Sequence, residues 1–238
     1  MRHVLLLGDS LAFHGPRRPE LVTEPRLYPN VAARALGARV DVVARLGWTA
    51  RDAWWALTRD PAVYSILVPR ADAVVLGVGG MDQLPASIPT YLREGIAYLR
   101  PGPLRRAVRR SYSTAHPLVL WATGGRGLRQ LPQRATDAYL SRCVSGIRHV
   151  RPQATVVAIG PAPFGGPYYP ATRTHRPAVD AARRWAAGES VPLLDLDPIV
   201  GPALARGDHN PDGMHWGWGT HAAVGEALAA LLRSARAG

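Results

Sequence analysis

The chain predicts an α/β fold on a doubly wound parallel sheet, and three observations carry that prediction. Apolar runs of strand length alternate with helix-length segments from one end to the other. Ser10, Gly47 and Gly79 each fall just past the end of such a run, where the backbone must turn. No Ser/Gly-rich linker divides the 238 residues, of which 47% are hydrophobic, enough to bury one large core. The expectation is a single domain over 1–238, with five parallel strands in a flavodoxin-like arrangement and helices on both faces.

The apolar run at 3–7 is the first strand, and Gly37 ends a helix over 29–36. The second strand, 39–43, leads to a helix over 50–59 for which Thr49 and Asp52 form a capping pair. A third strand at 73–77 is followed by a helix over 88–99. The rhythm then breaks. Arg100, Arg105, Arg106, Arg109 and Arg110 mark a basic helical piece, followed by Ala122-Thr123-Gly124-Gly125-Arg126-Gly127. Residues 100–131, approximately, are predicted as an Arg-rich helical and loop insertion, a candidate lid or substrate-binding element. A helix over 134–150, a strand at 155–160, a long loop at 164–177, a helix over 177–187, a strand at 191–195 and a last helix over 220–234 complete the pattern. In such sheets ligands bind at the carboxyl ends of the strands, the edge where Ser10, Gly47 and Gly79 lie.

All 29 Lys+Arg residues are arginine, and against 17 acidic residues they leave a net charge of +12. The missing lysine matches the coding bias of a GC-rich genome and carries little functional weight. The excess charge points to an anionic partner: nucleic acid, an acidic membrane surface or a phosphate-bearing small molecule. A solvated helix face is the competing explanation for the arginines of the insertion. No nucleic-acid-binding signature accompanies them, so no nucleic acid partner is expected. The single Cys143 rules out an internal disulfide and has no metal-site spacing around it, so it is placed in a helix core. Residues 2–7 look faintly like a signal peptide, but the run is too short and Asp9 interrupts it. No stretch reaches membrane-spanning length, and a cytoplasmic location is expected.

Chemistry concentrates at the two ends. Gly8-Asp9-Ser10-Leu11 follows the first strand, and Asp212-Gly213-Met214-His215 precedes the last helix. Serine needs a base to take its proton, and imidazole can take it and later return it. Asp212, three residues before His215, can hold the other ring nitrogen, with Asp208 as a competing partner. Ser10, Asp212 and His215 are therefore the candidate catalytic residues. No metal or redox cofactor is expected. The lipase-type Gly-x-Ser-x-Gly elbow is absent.

These residues resemble the SGNH, or GDSL, hydrolase superfamily over nearly the whole chain. Gly8-Asp9-Ser10-Leu11 matches its nucleophile block, Gly47 its second-block glycine, and Asp212 with His215 its last block. The resemblance implies an oxyanion hole from the backbone N–H groups of Ser10 and Gly47, with Gly79 or Gly80 as further donors. It breaks at Gly79-Gly80-Met81-Asp82, where the family has Gly-x-Asn-Asp and this chain has Met81. A lost oxyanion donor costs about 2.7–4 kcal/mol of transition-state stabilisation. Gly47-Trp48-Thr49, Arg51 to Trp55, Gly79-Gly80-Met81-Asp82, the arginine-rich stretch and Asn210 to Trp216 are similar to one branch in particular, the octanoyltransferases of mycobacterial methylglucose lipopolysaccharide synthesis. That branch implies an acyl-CoA donor and a glycosylated glycerate acceptor. Candidate substrate-binding residues are then Asp9, Met81, Arg105, Arg106, Arg109 and Trp216. Trp216 and Trp218 flank the histidine, to stack on sugar or to pack the core. Trp54 and Trp55 are expected in the core, Asp82 to hold its loop, and His14 to be an incidental loop residue. An esterase or thioesterase with the same triad is the alternative activity, and a non-catalytic basic binding domain the second. Oligomeric state is not legible.

Overall fold

The computed structural model describes residues 1–237. Its strands are β1 (His3–Gly8), β2 (Arg39–Ala44), β3 (Ala73–Gly77), β4 (Pro85–Ala86), β5 (Leu128–Arg129), β6 (Thr155–Ile159) and β7 (Leu193–Leu194). Its helices are α1 (Tyr28–Ala35), α2 (Ala50–Arg59), α3 (Val68–Arg70), α4 (Thr90–Gly95), α5 (Gly102–Thr123), α6 (Gln133–Val150), α7 (His175–Glu189), α8 (Asp197–Ala205) and α9 (Trp218–Ala237). Five strands form one parallel sheet in the order β2-β1-β3-β6-β7, the doubly wound arrangement. β4 and β5 make a separate antiparallel pair.

The uninterrupted apolar run of β1 is what a strand covered on both faces requires. Leu5 and Leu7 point into a core shared with α2 and α6, where Cys143 and Ile147 are also buried. Val4 and Leu6 point the other way, into a core with Tyr28 of α1 and with Val224 and Leu228 of α9. Truncating any of these leucines to alanine removes about 2–5 kcal/mol of stability. Register matters for the site. Gly8 pairs with Ala44 on one side and Gly77 on the other, so three strands end together and their loops leave from one edge.

The departures from the sequence pattern have local causes. The helix expected over 88–99 begins at Thr90 after Pro89 and tightens to a 3-10 turn at Ile96–Tyr98 behind Gly95. The last strand shortens to Leu193–Leu194, because Val191 bonds back to the end of α7 through its amide. α8 is an additional helix, opened by Pro198 in its first turn. Residues 100–131 hold one long helix, α5, closed by Gly124 in the left-handed conformation, followed by β5. His116 and Leu120 are the buried residues of α5 and anchor its second half to the body, where Leu120 joins Leu84, Phe164 and Tyr169. Its first half carries Arg106, Arg109 and Arg110 in exposed positions.

Candidate active site

Asp9 caps a 3-10 turn, Ser10–Ala12, at the end of β1, with its Oδ1 accepting the Leu11 N–H at 2.9 Å. The turn lifts Ser10 to the sheet edge while leaving it 4% exposed. His215 reaches it from the loop before α9, its Nε2 lying 3.0 Å from Ser10 Oγ across 205 positions of sequence. The other ring nitrogen, Nδ1, lies 2.6 Å from Asp212 Oδ2. Asp212 Oδ1 also accepts the backbone N–H groups of Met214 and His215, at 2.8 and 3.0 Å. Burial works to raise the Asp212 pKa, but the ring and amide hydrogen bonds outweigh it and hold the group at about 2. A carboxylate so held stays charged and fixes the imidazole's tautomer and direction.

The rival acid is otherwise engaged. Asp208 Oδ2 accepts from Thr220 N and Thr220 Oγ1, both at 2.7 Å, and so caps the start of α9. The Asp212 loop is clamped instead by the 164–177 loop. Gly213 adopts φ 72°, and a Cβ there would stand 1.8 Å from the Gly165 carbonyl oxygen, whose own N–H donates to Gly213 O at 3.0 Å. Only glycine permits that approach.

A family model described as the GDSL-like lipase/acylhydrolase family matches residues 6–223, a span that contains Ser10, Asp212 and His215. The chain belongs to the GDSL-like family. It is 39% identical over 233 residues to the diglucosylglycerate octanoyltransferase of Mycolicibacterium hassiacum, covering 98% of this chain and 95% of that one. Identity to the Mycobacterium tuberculosis protein of the same name is 37%, covering 98% and 92%. The lipase/acylhydrolase of Enterococcus faecalis shares the fold at TM-score 0.64 and 14% identity, over 98% of this chain and 96% of the other. TesA does so at TM-score 0.61 and 16% identity, over 98% and 99%. Family and relatives together make this chain an acyl-transferring serine enzyme. Among the described residues no helix is long and apolar enough to cross a membrane, and no His/Cys/Asp/Glu group has metal-site geometry.

In this GDSL-like enzyme the turn after β2 carries Gly47 at φ 72°. Among the described residues no acceptor takes the N–H of Ser10 or of Gly47, so both remain available to an oxyanion. Gly79, at φ 103°, and Gly80 follow β3 on the same edge. Asp82 holds this block to α2 by accepting the Ala50 N–H at 3.1 Å. Burial pushes the Asp82 carboxyl up to about 7 and that of Asp9 to about 6. Met81, at the family's Asn position, comes within 3.9 Å of where a Gly47 Cβ would stand. It lines a slot at Ser10 with Leu84, Phe164 and Met214, and Asp9 lies in the slot's wall. The slot has room for about 30 Å³ and is mostly apolar.

Other sequence expectations are corrected. Trp216 is 1% exposed and packs on Tyr28 and His221, so it is a core residue with no face for substrate. Trp55 is not a core residue either. It is partly exposed, with Arg51 and Arg59 placed 4.6 and 4.5 Å from its ring centre. Trp54 does pack against the α2–α6 core. Arg105, Arg106 and Arg109 lie on the first half of α5 and line none of the described cavities.

His14 is the residue that sequence reasoning missed. Its ring stacks on His215 with centres 3.7 Å apart and planes 22° from parallel. His14 Nδ1 lies 2.6 Å from the Gly15 carbonyl, to which it donates, and the His14 carbonyl accepts from His221 Nε2 at 3.0 Å. The Tyr28 N–H donates in turn to His221 Nδ1 at 3.2 Å. Burial lowers both neighbours, His221 to about 4, and His215 lowers His14 further, which keeps these two rings neutral beside the base. The available signal was the turn itself, whose Ser10 carbonyl accepts the His14 N–H at 2.8 Å and folds residue 14 back over the site.

Proposed function

We propose that this enzyme moves a medium-chain acyl group, octanoyl, from acyl-CoA to a sugar hydroxyl of a glucosylglycerate in methylglucose lipopolysaccharide synthesis. The observation that carries it is the Ser10–His215–Asp212 line in a chain so similar to two octanoyltransferases. Ser10 Oγ attacks the thioester carbonyl as its proton passes to His215 Nε2. The N–H groups of Ser10 and Gly47, with Gly79 or Gly80, take the developing oxyanion. The C–S bond breaks and the CoA thiolate leaves with the proton from His215. The acceptor hydroxyl then attacks the acyl-enzyme, its proton goes to His215, and the ester forms as Ser10 recovers a proton. Met81 and the slot around it hold the acyl chain, and Arg105, Arg106 and Arg109 add long-range attraction for the anionic donor. An acyl-CoA donor fits a cytoplasmic reaction carried out on a single domain.

The test is intact-protein mass spectrometry after octanoyl-CoA exposure, followed by diglucosylglycerate. An octanoyl adduct on wild type, absent from Ser10→Ala and discharged onto the sugar, is expected. Equal acyl transfer by both proteins overturns the serine mechanism. The hydrolase-like family and fold favour a second reading, in which water is the acceptor. Octanoate release that added sugar leaves unchanged would establish it.

A further inference from the structure

Beside the His215 loop lies a cleft of about 820 Å³ that shares no lining residue with the Ser10 slot. Two segments tied to the triad build its walls. Pro16 to Glu20 continue the chain from Ser10 and His14, while Asp208, His209 and Trp218 bracket the Asp212–His215 loop. Asn210 N donates to His215 O at 2.7 Å, and a Cβ at Gly15 would stand 2.8 Å from the Trp218 ring. The cleft therefore keeps a fixed relation to the base.

Three arginines, Arg17, Arg18 and Arg26, stand in its walls with two acids, Glu20 and Asp208. Arg17 has no carboxylate partner among the described residues, and Arg18, its side chain 79% exposed, touches Glu20 only at 3.7 Å. Arg26 lies 4.1 Å from the centre of the Trp218 ring while pairing with Glu24. Of the two acids in the wall, Glu20 stands 3.7 Å from Arg18 and Asp208 has its carboxylate turned to Thr220, so neither engages Arg17.

We propose that this cleft binds the carboxylate-bearing end of the sugar acceptor, with Arg17 and Arg18 on the carboxylate and Trp218 against a sugar ring. The inference rests on the acyl-transfer reading above. In that reading the acceptor hydroxyl must reach His215 Nε2, and the acyl chain already fills the apolar slot. A roomy polar cleft on the histidine side is left for the acceptor. Guanidinium groups match a carboxylate's geometry, and an indole suits the apolar face of a pyranose.

The test compares diglucosylglycerate with its analogue reduced from carboxylate to alcohol, as acceptors for wild type and the Arg17→Ala/Arg18→Ala double variant. The double variant is expected to raise KM for the acid at least tenfold and to shift KM for the alcohol far less. Equal shifts for both acceptors, or none for the acid, overturn the proposal. So does a rise confined to KM for octanoyl-CoA, which would assign the arginines to the donor's phosphates. Both side chains are on the surface, and matching thermal melts exclude misfolding. A wild type that acylates Ser10 but transfers to neither acceptor would refute the transfer reading instead. Calorimetric binding of the two sugars to Ser10→Ala, with and without the arginines, would then judge the cleft alone.

Discussion

The slot beside Ser10 and the cleft beside His215 differ in nearly every physical property. The slot is narrow, about 30 Å³, and closed by thioether and aromatic side chains, Met81, Met214 and Phe164. The cleft holds about 820 Å³ between arginines, a histidine and a tryptophan. An acyl chain entering the slot must push methionines aside, which their flexible unbranched side chains permit at small cost. A sugar entering the cleft meets an open, charged surface. On the proposed mechanism that asymmetry separates the half-reactions. Opening the slot belongs to acylation, and the cleft brings an acceptor to the same His215 afterwards.

The largest expected effect lies between the two cavities, at the group both half-reactions share. Asp212→Asn keeps the shape but presents an amide to the His215 ring, which allows the imidazole to adopt the wrong tautomer. Acylation by octanoyl-CoA is expected to slow about 10⁴-fold with little change in KM. Because Asp212 titrates at about 2, wild type should show no loss from this group until well below neutral pH. Stopped-flow thiol release measures the rate. A fall of less than tenfold would mean that the ring is oriented by something else, with the His14 stack the first suspect.

The next effect tests the slot alone. Met81→Asn restores the side-chain donor that the family pattern places in the oxyanion block. If this position faces the oxyanion, acyl-enzyme formation should accelerate about a hundredfold. Water should also reach the newly polar slot, so the ratio of octanoate released to octanoyl sugar formed should rise. Product analysis at fixed acceptor concentration reads that ratio. An unchanged rate would show that Met81 only fills space beside Gly47.

Local patterns made much of this legible. β1, α2 and the Ser10 and Asp212–His215 blocks each lie within a few residues of sequence, where apolar runs, a capping pair and a fixed acid–base spacing can be recognised. What failed depends on contacts between distant segments. Trp216 looked available for substrate because it follows the histidine, but the packing of α9 on α1 closes it in. The His14 stack joins residues from opposite ends of the chain. α5 grows through an Arg-rich, Pro-containing stretch because His116 and Leu120 anchor it to Tyr168 and Tyr169 and to Leu84, respectively.

The smallest effect concerns that stack, on the boundary between slot and cleft. His14→Leu removes a ring 3.7 Å from His215, and such ring pairs contribute about 0.5–1.5 kcal/mol. Transfer should slow roughly twofold to tenfold. His14→Phe keeps a flat ring and should recover most of that loss, which a side chain acting as an acid or base would not allow. The two roles also separate in stability. Burial, then His215, lowers the His14 pKa in the folded state, so the folded protein binds fewer protons here than the unfolded chain. The stability this neutral ring contributes is fully present above the ordinary histidine pKa of about 6.5 and is lost as pH falls below it. His14→Phe has no proton to bind, so on moving from pH 7 to pH 5 it should lose less stability than wild type. Urea unfolding at the two pH values checks this. An equal loss in both proteins would mean that His14 is protonated as easily in the fold as out of it, and that its ring is not held neutral against the base.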